Sequence, residues 1–297
     1  MSLWQLAGGL MTKMSYVPTP KPSRLHPVYE HLGTLELRLA QTAKDIRKAQ
    51  RLRYKVFYEQ GGAIADRTSA LMRRDLCGFD SICDHLLVID HAAKNRFGVI
   101  KPKVVGTYRL LRQDVAERHN GFYTESEFDV APMLARHEGK HFLELGRSCV
   151  LPEYRSKRTL ELLWRGVWAY VKHHNIDAMF GCASFDGTDP QAHALAFSFI
   201  AQNAAADESW SADANGSRGT SLASLATGKL DLRKALNALP PLVKGYARVG
   251  AKFGPHAVID HQFGTVDVFV IMPIADIQDR YVAHFGGPAT GSESHSA

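Results

Sequence analysis

The chain has 297 residues, a formal charge of +6 and 45% hydrophobic residues. This length gives room for one large domain or two small ones with a substantial core, and the hydrophobic content excludes a largely disordered chain. The excess of Lys and Arg favours an acidic partner such as an anionic membrane surface, nucleic acid or an acidic protein.

The N-terminal half predicts an arm followed by alternating strands and one basic helix. Residues 1–34 contain four prolines among polar side chains and predict an arm without fixed secondary structure. Apolar residues recur at helical spacing in 43–59, where Lys and Arg are frequent. Strands are predicted at residues 35–40, 84–90, 103–111 and 142–151.

The C-terminal half holds the clearest predicted element, a helix over residues 158–175. Its apolar residues keep the spacing of a helix that packs on a sheet. It is followed by a buried strand at 177–185 and by a helix that is capped by Asp189 and ends near 203. Further on, we predict a strand at 265–273 and a helix at 274–285. Ala, Ser and Gly at 204–229 predict a mobile loop, and 286–297 a disordered tail. Residues 35–285 are therefore expected to form a single domain with a C-terminal extension.

A strand, a basic turn and a helix start follow one another between His141 and Arg158. Glu144 and Arg147 lie among apolar residues of the strand, and Arg155, Ser156, Lys157 and Arg158 lead into the helix. Free N–H groups and the helix dipole at such a helix start favour a phosphate. The order resembles the phosphate loop of GNAT-superfamily N-acyltransferases, although Arg158 and a leucine stand where glycine is usual.

Several short runs resemble the bacterial L-ornithine N-alpha-acyltransferases over roughly residues 35–285. They are Arg51-Leu-Arg-Tyr-Lys-Val-Phe57, Cys83-Asp-His-Leu-Leu-Val88, Val105-Gly-Thr-Tyr-Arg-Leu-Leu111, Leu143-Glu-Leu-Gly-Arg-Ser-Cys-Val150, Phe180-Gly-Cys-Ala-Ser-Phe185 and Leu239-Pro-Pro-Leu-Val-Lys-Gly-Tyr246. The resemblance implies a GNAT-type α/β fold, whose mixed, mostly antiparallel sheet has splayed central strands and flanking helices. It also implies transfer of a 3-hydroxyacyl chain from the phosphopantetheine thioester of acyl carrier protein to the α-amino group of L-ornithine, which gives lyso-ornithine lipid.

The same resemblance implies the residues of the site. The expected substrate-binding residues are Arg53, Phe57, Asp80, Asp84 and Arg109, and the expected catalytic residues are Glu144 and Arg147, with Glu144 as the base. The donor is expected on Ser148, Cys149, Val150 and Arg155 to Arg158. Alternatively, Glu144 and Arg147 belong to a buried ion-pair network that shapes the sheet. No cluster of His and Cys has metal-ligand spacing, so we predict neither a metal nor a permanently bound cofactor.

Other functions stay open at this point. An acyl-homoserine-lactone synthase or another amino-acid N-acyltransferase is the nearest alternative, although a tryptophan expected after Phe57 is missing and Asp80 and Asp84 lie four apart where three is expected. A noncatalytic module that docks on anionic membranes through the basic helix face of Arg47 to Lys55 is a further alternative. Nucleic-acid-binding motifs are missing. The four cysteines favour a cytoplasmic protein, which we expect to attach to the inner membrane reversibly and less strongly as salt is raised.

Overall fold

The computed structural model describes residues 28–225 and 231–277. In these ranges the strands are Val28–Leu32 (β1), Leu35–Leu39 (β2), Asp84–Asp90 (β3), Lys103–Arg112 (β4), Phe128–Asp129 (β5), Phe142–Val150 (β6), Ala178–Asp186 (β7), Asp213–Ala214 (β8), Gly219–Ser221 (β9), Lys252–Asp260 (β10) and Thr265–Pro273 (β11). The α-helices are Ala43–Tyr54 (α1), Arg67–Met72 (α2), Gln113–Ala116 (α3), Ala131–Arg136 (α4), Lys157–His173 (α5), Ala194–Asn203 (α6), Leu222–Leu225 (α7), Leu232–Ala238 (α8) and Pro241–Val249 (α9).

A nine-stranded sheet organises the protein. Its strand order is β1-β2-β3-β4-β6-β7-β11-β10-β9, and β5 pairs with β8 separately. β6 and β7 run parallel, while the other neighbouring pairs of the large sheet are antiparallel. The predicted mixed, mostly antiparallel sheet is thereby confirmed.

The two central strands separate after a short stretch of pairing. β6 and β7 pair from Phe142 with Ala178 to Glu144 with Phe180, although both strands continue for six more residues. At the branching point, a Cβ on Gly181 would lie only 2.4 Å from the carbonyl oxygen of Leu145. Beyond it, residues 145–148 of β6 are only partly buried and Ser184 of β7 is exposed. The predicted splay is therefore an open cleft in the middle of the sheet.

Helices α1 and α5 cover opposite faces of the sheet. His85 pairs with Arg109 and Leu86 pairs with Tyr108, and successive residues of a strand point to opposite faces. α5 lies on the face of Leu86, because a Cβ on Gly166 would approach Leu86 Cδ2 to 2.7 Å. α1 lies on the face of Arg109, since Arg53 of α1 and Arg109 both contact Asp80. The cleft thus has one side towards each helix.

The basic helix predicted at 43–59 forms, but its last turn is wider than an α-helix. The Thr42 side chain caps α1 by accepting a hydrogen bond of 3.2 Å from the N–H of Asp45. After Tyr54 the chain continues as a π-helix over Lys55–Glu59, which includes Phe57. Single π-turns are frequent next to functional sites. The extra residue changes the direction in which the following side chains leave the helix.

Three parts of the structure differ from the sequence prediction. β1 begins at Val28, inside the predicted arm, because it pairs with β2 although its own residues do not alternate in polarity. Residues 204–225, predicted as a loop, contain β8, β9 and α7 and bury Ala212 and Leu222. Of the helix predicted at 274–285, Ile274–Asp276 forms a single 3₁₀ turn. Four predicted parts lie outside the described residues: residues 278–285 of that helix, the tail, residues 226–229 and the arm before Val28.

We expect Gly181→Ala to destabilise the protein by about 1–3 kcal/mol, because the new methyl group would collide with rigid backbone at the branching point. Gly245→Ala in α9 is the matched control, since no atom lies within 4 Å of its added Cβ. A helical glycine in open space should become more stable by about 0.5–1 kcal/mol on this change. Urea unfolding of both variants measures the difference, and equal free energies of unfolding would contradict the close approach of β6 and β7.

Candidate active site

A buried arginine lies at the centre of a charged network on the α1 face of the sheet. Arg53 is fully buried, and its Nε donates a hydrogen bond of 2.7 Å to Asp75 Oδ2. Its Nη2 donates to Asp80 Oδ2 at 2.6 Å and to the carbonyl oxygen of Asp75 at 2.7 Å. Burial by itself raises the pKa of Asp80, but Arg53 outweighs it and holds that pKa well below the ordinary value. Both carboxylates are needed to stabilise one buried guanidinium.

Asp75, which the sequence analysis did not identify, joins this network to β6. Its Oδ1 accepts a hydrogen bond of 3.1 Å from Tyr58, and its Oδ2 lies 3.3 Å from Arg147 Nε. Its N–H also donates to the carbonyl oxygen of Gln50 at 3.0 Å. The one available signal was a second aspartate five residues before Asp80 in the same turn-rich segment. Asp75 thereby links the end of α1 to the edge of the cleft.

Arg109 of β4 has an unused donor. Its Nη1 lies 3.5 Å from Asp80 Oδ1 and donates to Cys77 Sγ at 3.1 Å. The guanidinium stacks on Tyr123, 5.1 Å from the ring centre. Its Nη2 is buried and has no hydrogen-bond partner. Because a buried N–H group without a partner is costly, this atom is suited to bind an anionic ligand group.

A β-bulge turns Arg147 to the same face. Thr107 pairs with Cys149 and Arg109 with Gly146, so β6 contains one extra residue between these pairs. Arg147 has the left-handed φ of 51°, a conformation that costs an ordinary residue roughly 1–2 kcal/mol. In a regular strand the residue after Gly146 would point towards α5. At the bulge its guanidinium instead lies between the rings of Tyr123 and Phe263, 4.5 and 4.4 Å from their centres.

Glu144 is held tightly by the 3₁₀ helix Tyr123–Ser126. Its Oε2 accepts from the N–H of Tyr123 at 3.1 Å. Its Oε1 accepts from the N–H and from the hydroxyl of Thr124, both at 2.6 Å. The carboxylate therefore fixes the segment that carries Tyr123, on which both arginines stack. Glu144 does not form an ion pair with Arg147, and the predicted network instead joins Arg147 to Asp75.

Asp84 does not lie with the other predicted substrate residues. It accepts a hydrogen bond of 2.6 Å from Tyr170 of α5, and burial raises its pKa. Asp84 pairs with Leu110 and therefore points to the α5 face, whereas Arg109 points to the other. His85 takes the place next to the network, with Nε2 2.9 Å from the carbonyl oxygen of Asp80. The strand alternation explains why Asp84 lies apart from the other predicted residues.

The residues predicted to hold the acyl donor lie where β6 leads into α5. Ser156 caps α5 by accepting from the N–H of Thr159 at 3.3 Å, and Arg155 Nε donates to the carbonyl oxygen of Val150 at 3.1 Å. Lys157 and Arg158 are exposed, and Arg158 reaches the turn at Gly33. Ser148 is partly buried at the bulge, with Cys149 and Val150 buried after it.

Phe57, another predicted substrate residue, packs edge-on against Phe263, with 5.8 Å between the ring centres.

Residues 52–165 match the family model described as an acetyltransferase (GNAT) domain. The bulge in β6 and the start of α5 lie within this range, and β7, on the other side of the cleft, follows it. Residues 52–165 therefore form a GNAT-type acetyltransferase domain.

The sequence relatives are more specific. The chain is 51% identical over 262 residues to the L-ornithine N(alpha)-acyltransferase of Agrobacterium fabrum, with 88% of each chain covered. It is 46% identical over 282 residues to the enzyme of the same name from Rhizobium meliloti, with 95% of this chain and 94% of that one covered. The chain belongs to the L-ornithine N(alpha)-acyltransferase family. Neither a homoserine-lactone synthase nor a noncatalytic docking module fits this assignment.

Solved structures are more distant. An N-acyl amino acid synthase from uncultured soil microbes aligns with a TM-score of 0.44 at 11% identity, and 84% of this chain and 98% of that chain are covered. So loose an overlap adds nothing to the family assignment. Among the residues that the structure describes, no helix has both the length and the hydropathy needed to cross a membrane.

We expect Arg53→Met to lower the free energy of unfolding by about 3–5 kcal/mol, because it leaves the buried carboxylates of Asp75 and Asp80 without their cation. Arg51→Met, at an exposed position of the same helix, should change it by less than about 0.5 kcal/mol. Urea unfolding followed by circular dichroism measures both.

The destabilisation should depend on pH. The folded pKa of Asp80 is lowered, so its ion pair contributes fully above the unfolded pKa of about 3.9 and is lost as the pH falls through the folded value. The difference between wild type and Arg53→Met should therefore shrink in acid. A difference that stays constant down to pH about 3 would contradict the role of the Asp80 charge.

Proposed function

We propose that the protein transfers a 3-hydroxyacyl chain from acyl carrier protein to the α-amino group of L-ornithine and forms lyso-ornithine lipid. The observation that carries this proposal is the identity of 46–51% to L-ornithine N(alpha)-acyltransferases over most of the chain. The site supports it, because an open cleft, exposed cations at the start of α5 and two arginines suit an activated acyl donor and an amino-acid acceptor.

The reaction needs positioning more than activation. The α-nitrogen attacks the thioester carbonyl carbon, so that a C–N bond forms, the C–S bond breaks and the leaving thiolate takes up a proton. Holding the two reactants in the cleft supplies much of the rate. Backbone N–H groups of residues 148–150, beside the bulge, are our candidates for stabilising the oxyanion.

The acceptor's carboxylate is assigned to the two arginines. Arg109 Nη2 is an unused donor, and the Arg147 guanidinium is held between two aromatic rings next to it. A guanidinium can bind a carboxylate through two parallel hydrogen bonds. Arg53 is less suited, because its Nε and Nη2 already donate to Asp75 and Asp80, although its Nη1 is also buried without a partner.

Glu144 remains our proposed proton acceptor, reached through Thr124. Both oxygens of Glu144 are already hydrogen-bonded, which favours a relay over direct contact with the amine. The Thr124 hydroxyl donates to Glu144 and lies 3.8 Å from Cys182 Sγ, on the side of β7. In the relay, Thr124 Oγ1 accepts a proton from the α-ammonium while its own proton passes to Glu144.

Thr124→Val should lower turnover at neutral pH about 100-fold, because it removes the hydroxyl and leaves both backbone hydrogen bonds to Glu144. Thr124→Ser keeps the hydroxyl and should retain turnover, and Glu144→Gln should resemble Thr124→Val. The defect should narrow well above the α-amino pKa of about 8, where the free amine needs no base. Steady-state kinetics against pH test this, and full turnover of Thr124→Val at neutral pH would remove the relay.

The donor is the second point to test. A carrier protein presents one phosphodiester and an acidic surface. The cations at the start of α5, together with Arg47, Lys48 and Arg51 on α1 and Lys55 just after it, suit both. We expect acyl carrier protein thioester to be used far more efficiently than the matching coenzyme A thioester, with N-acylornithine identified by mass spectrometry. Reversing Lys157 and Arg158 to Glu should raise the KM for the carrier about tenfold or more at low salt.

Two exposed lysines on other elements, Lys140 and Lys234, provide a control with the same change in net charge. Their reversal to Glu should leave the KM for the carrier almost unchanged. Equal kcat/KM for both donors across ionic strength would contradict the donor assignment. Reversible attachment to an anionic membrane stays a prediction from the basic charge of the chain.

A further inference from the structure

A second acidic cluster lies on the same face of the sheet, beyond the residues assigned so far. Glu127 follows the 3₁₀ helix that Glu144 anchors, and Asp267 and Cys182 lie on the neighbouring strands β11 and β7. One ligand atom from each of the three lies within 4.8 Å of the others. The chain brings these residues together from three distant segments.

Two oxygens of this cluster are buried without a partner. Glu127 and Asp267 are only 7% and 5% exposed, and neither Glu127 Oε2 nor Asp267 Oδ1 accepts a hydrogen bond. Burial, and next the charge of Asp267, raise the pKa of Glu127, while burial also raises the pKa of Asp267. Cys182 hydrogen-bonds to Glu127 and Ser184 to Asp267, but these two oxygens have no donor, and among the described residues neither carboxyl group has a salt bridge. Buried carboxylates normally have a cation, so a ligand could supply the missing partner.

The cluster can be reached from the cleft. Cys182 is partly exposed, and Ser184, two residues further along β7, is exposed opposite Asp267. Thr124 of the proposed proton relay contacts Cys182 at 3.8 Å. The unpartnered carboxylates therefore adjoin the place where the acceptor would lose its proton.

We propose that Glu127 and Asp267 bind the side-chain ammonium of the acceptor amino acid and so select a diamino acid; this inference rests on the proposed function. The α-nitrogen must lose its proton to react, and a pair of carboxylates would oppose that loss. The pair is therefore suited to the ammonium group that stays charged. With the acceptor's carboxylate on Arg109 and Arg147, its two ends would be bound by groups of opposite charge.

A divalent metal ion is the competing occupant of the cluster. A metal would use Cys182 as a thiolate, but burial raises the pKa of that thiol well above its ordinary value. The position of the pair beside Thr124 and the cleft, where the acceptor would lie, favours the ammonium ligand. Around the pair, the other charged groups are Arg147 on β6 and Asp260 on β10, both of which act on the pKa of Glu127 and Asp267.

The test compares L-ornithine with L-norvaline, which has the same carbon skeleton without the side-chain ammonium. We expect wild type to prefer ornithine by at least about 100-fold in kcat/KM, since a buried polar site rejects an analogue that cannot pair with it. In the double variant Glu127→Gln and Asp267→Asn, kcat/KM for ornithine should fall about 100-fold, mainly through KM, while norvaline is unaffected. The matched control is Glu125→Gln, which changes an exposed glutamate of the 3₁₀ helix just before Glu127. It should change kcat/KM for neither ornithine nor norvaline.

Calorimetry gives a readout that does not depend on turnover. Because the pKa values of the free pair are raised, an ammonium that lowers them should release protons on binding near neutral pH, in wild type with ornithine but not with norvaline or in the double variant. Titrations in two buffers of different ionisation enthalpy measure this release. Circular dichroism of the double variant and of both single variants shows whether each is folded. If the double variant does not fold, the kinetics of the two single variants test the proposal instead.

Each outcome is decisive. Equal losses for ornithine and norvaline, or an unchanged ornithine KM, would overturn the assignment of the pair. So would a stoichiometric metal in purified wild type that is lost in the variant. A wild-type protein that acylates no amino acid from acyl carrier protein would instead contradict the proposed function, while proton release with ornithine would still decide whether the pair binds the ammonium.

Discussion

The buried guanidinium of Arg53 is the interaction on which the active-site face depends. It lies between two carboxylates at 2.6 and 2.7 Å, and through them it connects to Arg109 on β4 and to Arg147 on β6. An unpaired charge in that position would be far too costly to keep. The positions of Arg109 and Arg147 thus depend on Arg53 at the end of α1.

The cleft is a consequence of local backbone constraints. Gly181 allows the backbones of β6 and β7 to approach closely at the branching point. The extra residue in β6 then turns the Arg147 side chain to the face opposite the one that regular strand alternation would give it. Beyond the branching point, β6 and β7 form no ladder hydrogen bonds with each other, which lowers the stability of the sheet. The left-handed backbone conformation of Arg147 lowers it further. Antiparallel pairing with β4 on one side and β11 on the other keeps each strand in place. The opening can therefore be rigid.

Patterns within one segment were readable from the sequence. The helix predicted at 158–175 is found at Lys157–His173, because its apolar stripe meets the sheet directly. Short family runs identified Arg53, Arg109, Glu144 and Arg147, which do lie on one face of the sheet. β1 could not be predicted, since its strand conformation comes from pairing with β2. Asp84 lies on the other face, which family spacing could not reveal because it does not tell which face of a strand a side chain takes. Asp75, Glu127 and Asp267 belong to no motif and meet their partners only through tertiary packing.

The aromatic rings around Arg147 come from segments that are synthesised at different times. Tyr123 and Phe263 enclose the Arg147 guanidinium, and the N–H of Ile64 donates at 2.7 Å to the carbonyl oxygen of Gln262 in the same hairpin as Phe263. These contacts join segments separated by up to about 200 residues, whose closure is slow because so much chain entropy is lost first. During synthesis, α1 and the strands up to β7 leave the ribosome well before Phe263 does. The chain therefore emerges with the Arg147 side of the cleft unfinished, and the last hairpin of the described residues both completes the sheet and encloses the arginine.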